Sequence, residues 1–248
     1  MDLSAGVALV TGGGTGLGRE IAVRLAAHGL DVAVNYASSK DEAESVAAAI
    51  EKTGRGSVAV HADVSLPGEV AAMVRDVEAA LGPVDVLVNN AGVTRYIPFR
   101  ELDQITLQDW QDVLAVNVIG AFNCVQAIGP AMADRGGGAI LNVSSISPYV
   151  ANGSSLPYTV SKAALISLTE CLCRALPTSV RVNAVAPSWM DTVWLDKHLP
   201  EEVSSRVRSA EYPSVPVEKV AQMAIGLILN DAVSGQTVVI DGGGLWRS

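Results

Sequence analysis

Residues 7–30 read VALVTGGGTGLGREIAVRLAAHGL. Four consecutive apolar residues, 7–10, have the character of a strand buried on both faces in a parallel sheet. Gly12, Gly13, Gly14, Gly16 and Gly18 follow, and then Leu17, Ile21, Leu25 and Ala26 recur at helical spacing. Glycines let the backbone turn tightly and approach a pyrophosphate, and the helix N-terminus favours that negative charge. A merely flexible loop is the competing reading. The strand before and the helix after are the context that nucleotide binding requires, and both are here.

Outward from this unit, the pattern repeats. A second strand is expected over 31–35, ending in Asn35-Tyr36, with Ser38, Ser39 and Lys40 close behind. In dinucleotide folds an acid at this strand end holds the adenosine ribose and repels a 2′-phosphate. Neutral and hydroxyl groups beside a lysine tolerate that phosphate better, so NADP(H) is favoured over NAD(H). Ser39 also reads as the N-cap of the next helix. A third strand is expected over 57–61, leading to Asp63 and Val64. A helix over 67–81 has proline in its first turn, and a fourth strand over 84–88 runs into Asn89-Asn90-Ala91-Gly92. Strand–helix units with short connections imply an α/β, Rossmann-type, doubly wound parallel sheet. About seven strands are expected in one domain spanning residues 1–248.

The second half carries the chemistry. A long helix is expected over 106–132, with Asn117 inside its apolar pattern, packed with a satisfied hydrogen bond or marking a kink. A fifth strand over 138–143 delivers Ser144 and Ser145 to its carboxyl end, where an open α/β sheet binds ligands. The next helix, 158–176, is expected to bury Ala164, Leu165, Leu168, Cys171, Leu172 and Ala175. At its start Tyr158 and Lys162 stand four apart, one turn apart on one face. An ammonium so placed is expected to pull the phenol's pKa below its usual value of about 10, making a general acid or base. The spacing is common, so its neighbours give it meaning. A sixth strand is expected over 180–186, closed by Pro187. Residues 188–216 break the pattern and read as a mobile lid or substrate loop. A helix over 217–230 and a seventh strand over 236–240 complete the chain.

Composition narrows the partners. The chain has 248 residues, 49% hydrophobic and 17% charged, with a formal net charge of −9. That field argues against nucleic acid and anionic membrane surfaces. The apolar runs look far shorter than the ~18 residues of a membrane span. The N-terminal residues lack the order of a secretory signal, so a cytoplasmic protein is expected. Cys124, Cys171 and Cys173 are expected to be reduced, buried thiols. His28, His61 and His198 are scattered, and no metal site is expected.

Taken together, these residues resemble the short-chain dehydrogenase/reductase family, in the branch of ketoacyl-carrier-protein reductases and carbonyl reductases. The resemblance covers nearly the whole chain. It rests on Thr11-Gly12-x-x-x-Gly16-Leu17-Gly18, Asp63-Val64, Asn89-Asn90-Ala91-Gly92, Asn117, Ser145, Tyr158-x-x-x-Lys162 and the glycine-flanked last strand. It implies that Tyr158 exchanges a proton with the substrate oxygen and that Ser145 hydrogen-bonds that oxygen. Lys162 would tune the tyrosine and hold the nicotinamide ribose, and the Asn117 carbonyl would hold a water of the proton path. Cofactor contacts are implied at Gly12, Thr15, Gly16, Leu17, Gly18, Asn35, Tyr36, Ser38, Asp63, Val64, Asn90, Ala91, Gly92, Tyr158, Lys162, Pro187 and Thr192. The expected activity interconverts a carbonyl and a secondary alcohol on a small-molecule substrate. The alternatives are a 3-oxoacyl-thioester reductase and a catalytically silent dinucleotide-binding protein. A homotetramer, or a homodimer, is implied by the resemblance alone.

Several positions depart from the family pattern. The usual Pro-Gly after the sixth strand is Pro187-Ser188, and position 15, often arginine in NADP-dependent relatives, is Thr15. The turn LPTSVRVN, 176–183, lacks the glycine and basic residue often found there. In carrier-protein reductases such basic residues help dock the acidic carrier. Trp189, Val193, Trp194 and Leu195 are the candidates for the pocket lining.

Overall fold

The computed structural model describes residues 6–246 other than Ala210 and Pro213, both of which fall in the 188–216 segment. Its strands are β1 (Val7–Val10), β2 (Asp31–Tyr36), β3 (Ser57–His61), β4 (Val84–Asn89), β5 (Gly138–Val143), β6 (Val180–Pro187) and β7 (Thr237–Ile240). All pair in parallel, in the order β3-β2-β1-β4-β5-β6-β7. The order reverses between β1 and β4, and ligands of open α/β sheets bind in the crevice at such a switch point. The expected doubly wound fold is present.

Alternation along the strands divides the core. Ala8 and Val10 of β1, with Val32, Val34, Val86, Val88 and Leu141, pack beneath α1 (Gly16–Ala27), α2 (Lys40–Glu51) and α10 (Val217–Leu229). Leu9, with Ala33, Leu87, Ile140 and Val182, faces α3 (Pro67–Leu81) and the two longest helical segments. The first of those runs through α4 (Leu107–Leu114), a π-helical stretch (Ala115–Gly120) and α5 (Ala121–Asp134). A capping box starts it, in which Thr106 and Asp109 exchange hydrogen bonds. Those bonds, with Arg95, hold the Asp109 carboxyl down at about 2. By length and composition 107–134 could cross a bilayer, contrary to the sequence expectation. Here it is a core helix with half of its most apolar window buried.

After β5 come the single-turn α6 (Ser147–Val150) and then α7 (Leu156–Ala175). The buried stripe of α7 runs through Ser161, Lys162, Leu165, Thr169 and Leu172. Cys171 lies one position off that stripe and is exposed, as is Ala175, while Ala164 and Leu168 are partly exposed. The expectation of three buried thiols is likewise corrected. Only Cys124 is buried, and burial pushes its thiol up to about 12.

The 188–216 segment is not an unstructured loop. It contains α8 (Val193–His198) and α9 (Glu201–Arg208), and Leu195, Leu199, Val203 and Val207 form a small core of their own with Trp189, Trp194, Tyr96 and Tyr212 around it. Trp189 stacks on Tyr212 at 5.8 Å, and Arg208 gathers Asp191, Asp196 and Glu201. The many charges and prolines suggested a loop; the charges instead pair across two short helices.

Candidate active site

The glycine-rich turn is held from below by side chains of the β4 end. Thr11 Oγ1 accepts from the amides of Asn90 and Ala91, each at 3.0 Å. Asn90 Nδ2 donates to the carbonyls of Thr11 (2.9 Å) and Gly12 (3.0 Å). Gly12 and Gly16 take φ of +59° and +51°, the left-handed region open to glycine. Gly18 answers a close approach instead: an added Cβ would lie 2.3 Å from the Gly12 carbonyl oxygen and 2.5 Å from Asn90 Nδ2. Gly18→Ala is therefore expected to lower stability by about 1–3 kcal/mol and to weaken dinucleotide binding by disturbing the turn. Thermal denaturation and dinucleotide titration check this, with Gly226→Ala as control. There an added methyl meets nothing within 4 Å and the helix gains propensity.

Above the turn lies a cavity of about 650 Å³. Of the cofactor residues expected from sequence, Gly12, Thr15, Gly16, Leu17, Asn35, Ser38, Asp63, Val64, Asn90, Ala91, Gly92, Pro187 and Thr192 line it, with Ser145, Tyr158 and Lys162. Two of the cofactor residues, and the catalytic candidate Asn117, stand outside the lining. Gly18 lies beneath the turn, Tyr36 packs edge-on against His61 at 5.5 Å, and Asn117 lies behind the wall. Asn35 faces the cavity but its amide works inward. Its Oδ1 accepts from Gly12 N at 3.3 Å and its Nδ2 donates to the Ala62 carbonyl at 3.1 Å. Ser39 precedes α2 without a side-chain cap bond, and Lys40 pairs with Glu44 at 3.6 Å.

The first turn of α1 also lacks a side-chain cap, because Thr15 makes none. Its amides and the left-handed glycines form an anion cradle at one side of a cavity that ends at Tyr158. These residues fit a dinucleotide.

At the reacting end, β5 and α7 bring Ser145, Tyr158 and Lys162 together. Ser144 Oγ donates to the Lys162 carbonyl at 2.9 Å and fastens strand to helix, while Ser145 turns to the cavity, near enough to the Tyr158 phenol to favour its charged form. Ser155 accepts from Tyr158 N at 3.4 Å and caps α7. Lys162 is buried, its Nζ donating to the Val143 carbonyl at 2.8 Å and lying 5.7 Å from the Tyr158 ring centre. Gly92 leaves it room, since a Cβ there would sit 3.4 Å from Nζ.

Asn117 sits in the π-helical stretch, and its amide is fully hydrogen-bonded, as one of the two readings expected. Its Oδ1 accepts from Val93 N at 2.8 Å, and its Nδ2 donates to the Val93 carbonyl (3.0 Å) and to Ser161 Oγ (2.9 Å). The π register interrupts the ordinary helical ladder, and the amide ties α7 to the loop after β4.

The expected lowering of the tyrosine's pKa is corrected. Burial pushes Tyr158 up to about 12, against the smaller lowering by the Ser145 hydrogen bond, and burial pushes Lys162 down to about 8. Desolvation disfavours both charged forms. At neutral pH the pair is a protonated phenol beside an ammonium.

Further residues complete the walls, and Trp194, expected there from sequence, is one of them. Trp194 lies 5.9 Å from the Tyr158 ring, its Nε1 donating to the Gly92 carbonyl at 3.5 Å. His198 lies 4.9 Å from Trp194, and burial pushes its imidazole below the usual histidine range. Behind the site Asn89 Nδ2 donates to Asn142 Oδ1, and Asn142 Nδ2 to Thr169 Oγ1, both at 2.9 Å. Of these, Trp194 and Asn89 carried a sequence signal, and the roles of His198, Asn142 and Thr169 did not.

A parallel sheet reversing at β1/β4, an uncapped glycine cradle and a serine–tyrosine–lysine group at the cavity end define a dinucleotide-dependent oxidoreductase. Comparison with known proteins agrees: residues 6–202 match the family described as short chain dehydrogenase. The chain belongs to that family. It is 37% identical over 245 residues to the 3-oxoacyl-acyl-carrier-protein reductase of Staphylococcus aureus (strain Mu50), covering 95% of this chain and 96% of that protein. A 3-oxoacyl-acyl-carrier-protein reductase from Synechocystis sp. is 36% identical over 245 residues, covering 97% of both. Among solved structures, a gluconate 5-dehydrogenase from Burkholderia cenocepacia J2315, in complex with NADP and tartrate, superposes with a TM-score of 0.85. It is 30% identical and covers 98% of this chain and 97% of that one.

Proposed function

We propose that this oxidoreductase reduces a ketone to a secondary alcohol with NADPH, with Tyr158 as proton donor. The observation that carries the reading is the Ser145–Tyr158–Lys162 group at the end of the dinucleotide cavity, with Lys162 buried and Ser145 and Tyr158 half-buried against the opening. When bound, the nicotinamide supplies the hydride. Ser145 holds the substrate oxygen beside the phenol, and Tyr158 delivers its proton to that oxygen. Lys162, kept in place by Val143, holds the nicotinamide ribose and replenishes the phenol's proton. Asn117, through its carbonyl in the π-helical stretch, anchors a water that continues the path past Lys162. Gly12 to Leu17 hold the pyrophosphate, Asp63 and Val64 border the adenine, and Thr192 binds the carboxamide. Trp189, Trp194 and Val193 close the site from the lid and exclude water from the transfer. A phenol protonated at neutral pH suits reduction over alcohol oxidation.

A 3-oxoacyl thioester is the second reading of the substrate, favoured by the names of the Staphylococcus and Synechocystis relatives. The chain's net charge of −9 works against docking an acidic carrier. NADPH consumption with simple apolar ketones, 3-oxoacyl-coenzyme A and a 3-oxoacyl carrier, followed at the nicotinamide absorbance, decides between them. Turnover of simple ketones supports the first reading and turnover of thioesters alone the second. Failure with every carbonyl would overturn both. We further infer self-association through the π stretch, α5 and α7, where Ile119, Phe122 and Val160 are exposed apolar side chains. Light scattering showing a monomer would refute it.

A further inference from the structure

Lys197, in α8 of the lid, reaches across the cavity and donates from Nζ to Ser38 Oγ at 3.2 Å. The two residues are 159 apart in the chain, and Ser38 follows β2 at the cavity wall where a dinucleotide's adenosine ribose binds in this fold class. The other groups at that wall leave a phosphate without a cation. Asn35 spends its amide on Gly12 and β3, and Lys40 is paired with Glu44. Glu42, also on the wall, adds negative charge. The lid's own acids Asp191, Asp196 and Glu201 are gathered by Arg208, and among the described residues Lys197 enters no ion pair.

We propose that Lys197 is the residue that selects NADP(H), binding the 2′-phosphate from the lid together with Ser38. The inference rests on the NADP reading above and deepens it. A phosphate monoester needs a cation here, because the chain is acidic overall and the nearest carboxylate, Glu42, repels it. Ser38 supplies a hydroxyl donor, and the uncapped start of α2 adds a favourable dipole. Because Lys197 and Trp194 share one short helix, the phosphate that holds Lys197 also holds Trp194 over Tyr158. Cofactor choice and closure of the reacting end are thereby coupled.

The test is direct titration of NADPH, NADH, adenosine 2′,5′-bisphosphate and 5′-AMP by calorimetry, on wild type, Lys197→Gln and Lys197→Arg. Wild type is expected to prefer the phosphate-bearing member of each pair. Lys197→Gln should weaken NADPH and the bisphosphate about tenfold, the size of one charge-assisted hydrogen bond. NADH and 5′-AMP should be unchanged in that variant, and Lys197→Arg should retain the preference. Protection of the lid from trypsin should require NADPH in wild type and be lost in Lys197→Gln. Undiminished preference for NADPH in Lys197→Gln overturns the proposal, and so does equal weakening of NADPH and NADH. A wild type that binds both dinucleotides equally overturns the NADP reading itself, and the proposal with it.

Discussion

Replacing Tyr158 by phenylalanine is expected to lower kcat for carbonyl reduction by about 10²–10⁴-fold, the usual contribution of a positioned general acid. The ring would stay in place against Trp194, and only the hydroxyl facing Ser145 would be lost. Dinucleotide affinity and unfolding temperature should therefore stay at their wild-type values, which separates loss of a proton donor from loss of a fold. The pH dependence sharpens the point. With the phenol pushed up to about 12, the reducing direction has its acid protonated throughout the neutral range. Alcohol oxidation needs the phenolate, so its rate should climb as pH rises towards that value in wild type. In Tyr158→Phe the climb should be absent. Steady-state kinetics in both directions, with calorimetric titration of NADPH, make the check. A variant that keeps kcat within tenfold of wild type would remove Tyr158 from the mechanism.

The second large effect concerns Lys162. Lys162→Met keeps the volume and removes the charge. Activity should fall by at least about 10²-fold, since the phenol loses its proton source and the ribose its anchor. Stability should move the other way. A buried ammonium whose pKa is pushed down to about 8 is a burden on the native state at neutral pH, of about 3 kcal/mol for a shift from 10.5. The lost hydrogen bond to Val143 returns about 1 kcal/mol of that gain. Between pH 8 and 10.5 the unfolded chain binds more protons at this residue than the native one, so wild-type stability rises with pH. The advantage of Lys162→Met should therefore be full below pH 8 and close as pH approaches 10.5. Denaturant unfolding of both proteins across that range tests it. A variant that is inactive and also less stable at pH 7 would mean that Lys162 serves the fold rather than the site.

The fold was legible because its signals are local. An apolar run, the five glycines of 12–18 and an amphipathic helix define one βα unit within residues 7–30, and the rest repeats it. Ser145, Tyr158 and Lys162 were legible because a strand end and one helical turn fix their positions. What could not be read is what arises between distant segments. Nothing near Ser38 announces Lys197, and nothing near Tyr158 announces that His198 will pack on the Trp194 beside it. The direction of the tyrosine's pKa depended on burial, which a four-residue spacing does not contain. Cys171 was misplaced because helical periodicity gives a stripe but not its centre. The two helices inside the 188–216 segment were not foreseen, because its charges pair with one another in an arrangement visible only in three dimensions.

The central claim is that a hydride passes between the nicotinamide and a substrate carbonyl carbon while Tyr158 supplies the proton. It is tested most directly with NADPH carrying deuterium on one or other face of nicotinamide C4 and a ketone or 3-oxoacyl thioester that the protein turns over. One of the two labelled isomers should place a single deuterium on the carbinol carbon of the product, and Tyr158→Phe should bind the cofactor but transfer almost none. Product formed without label from either isomer, or label transfer undiminished in Tyr158→Phe, would contradict the account.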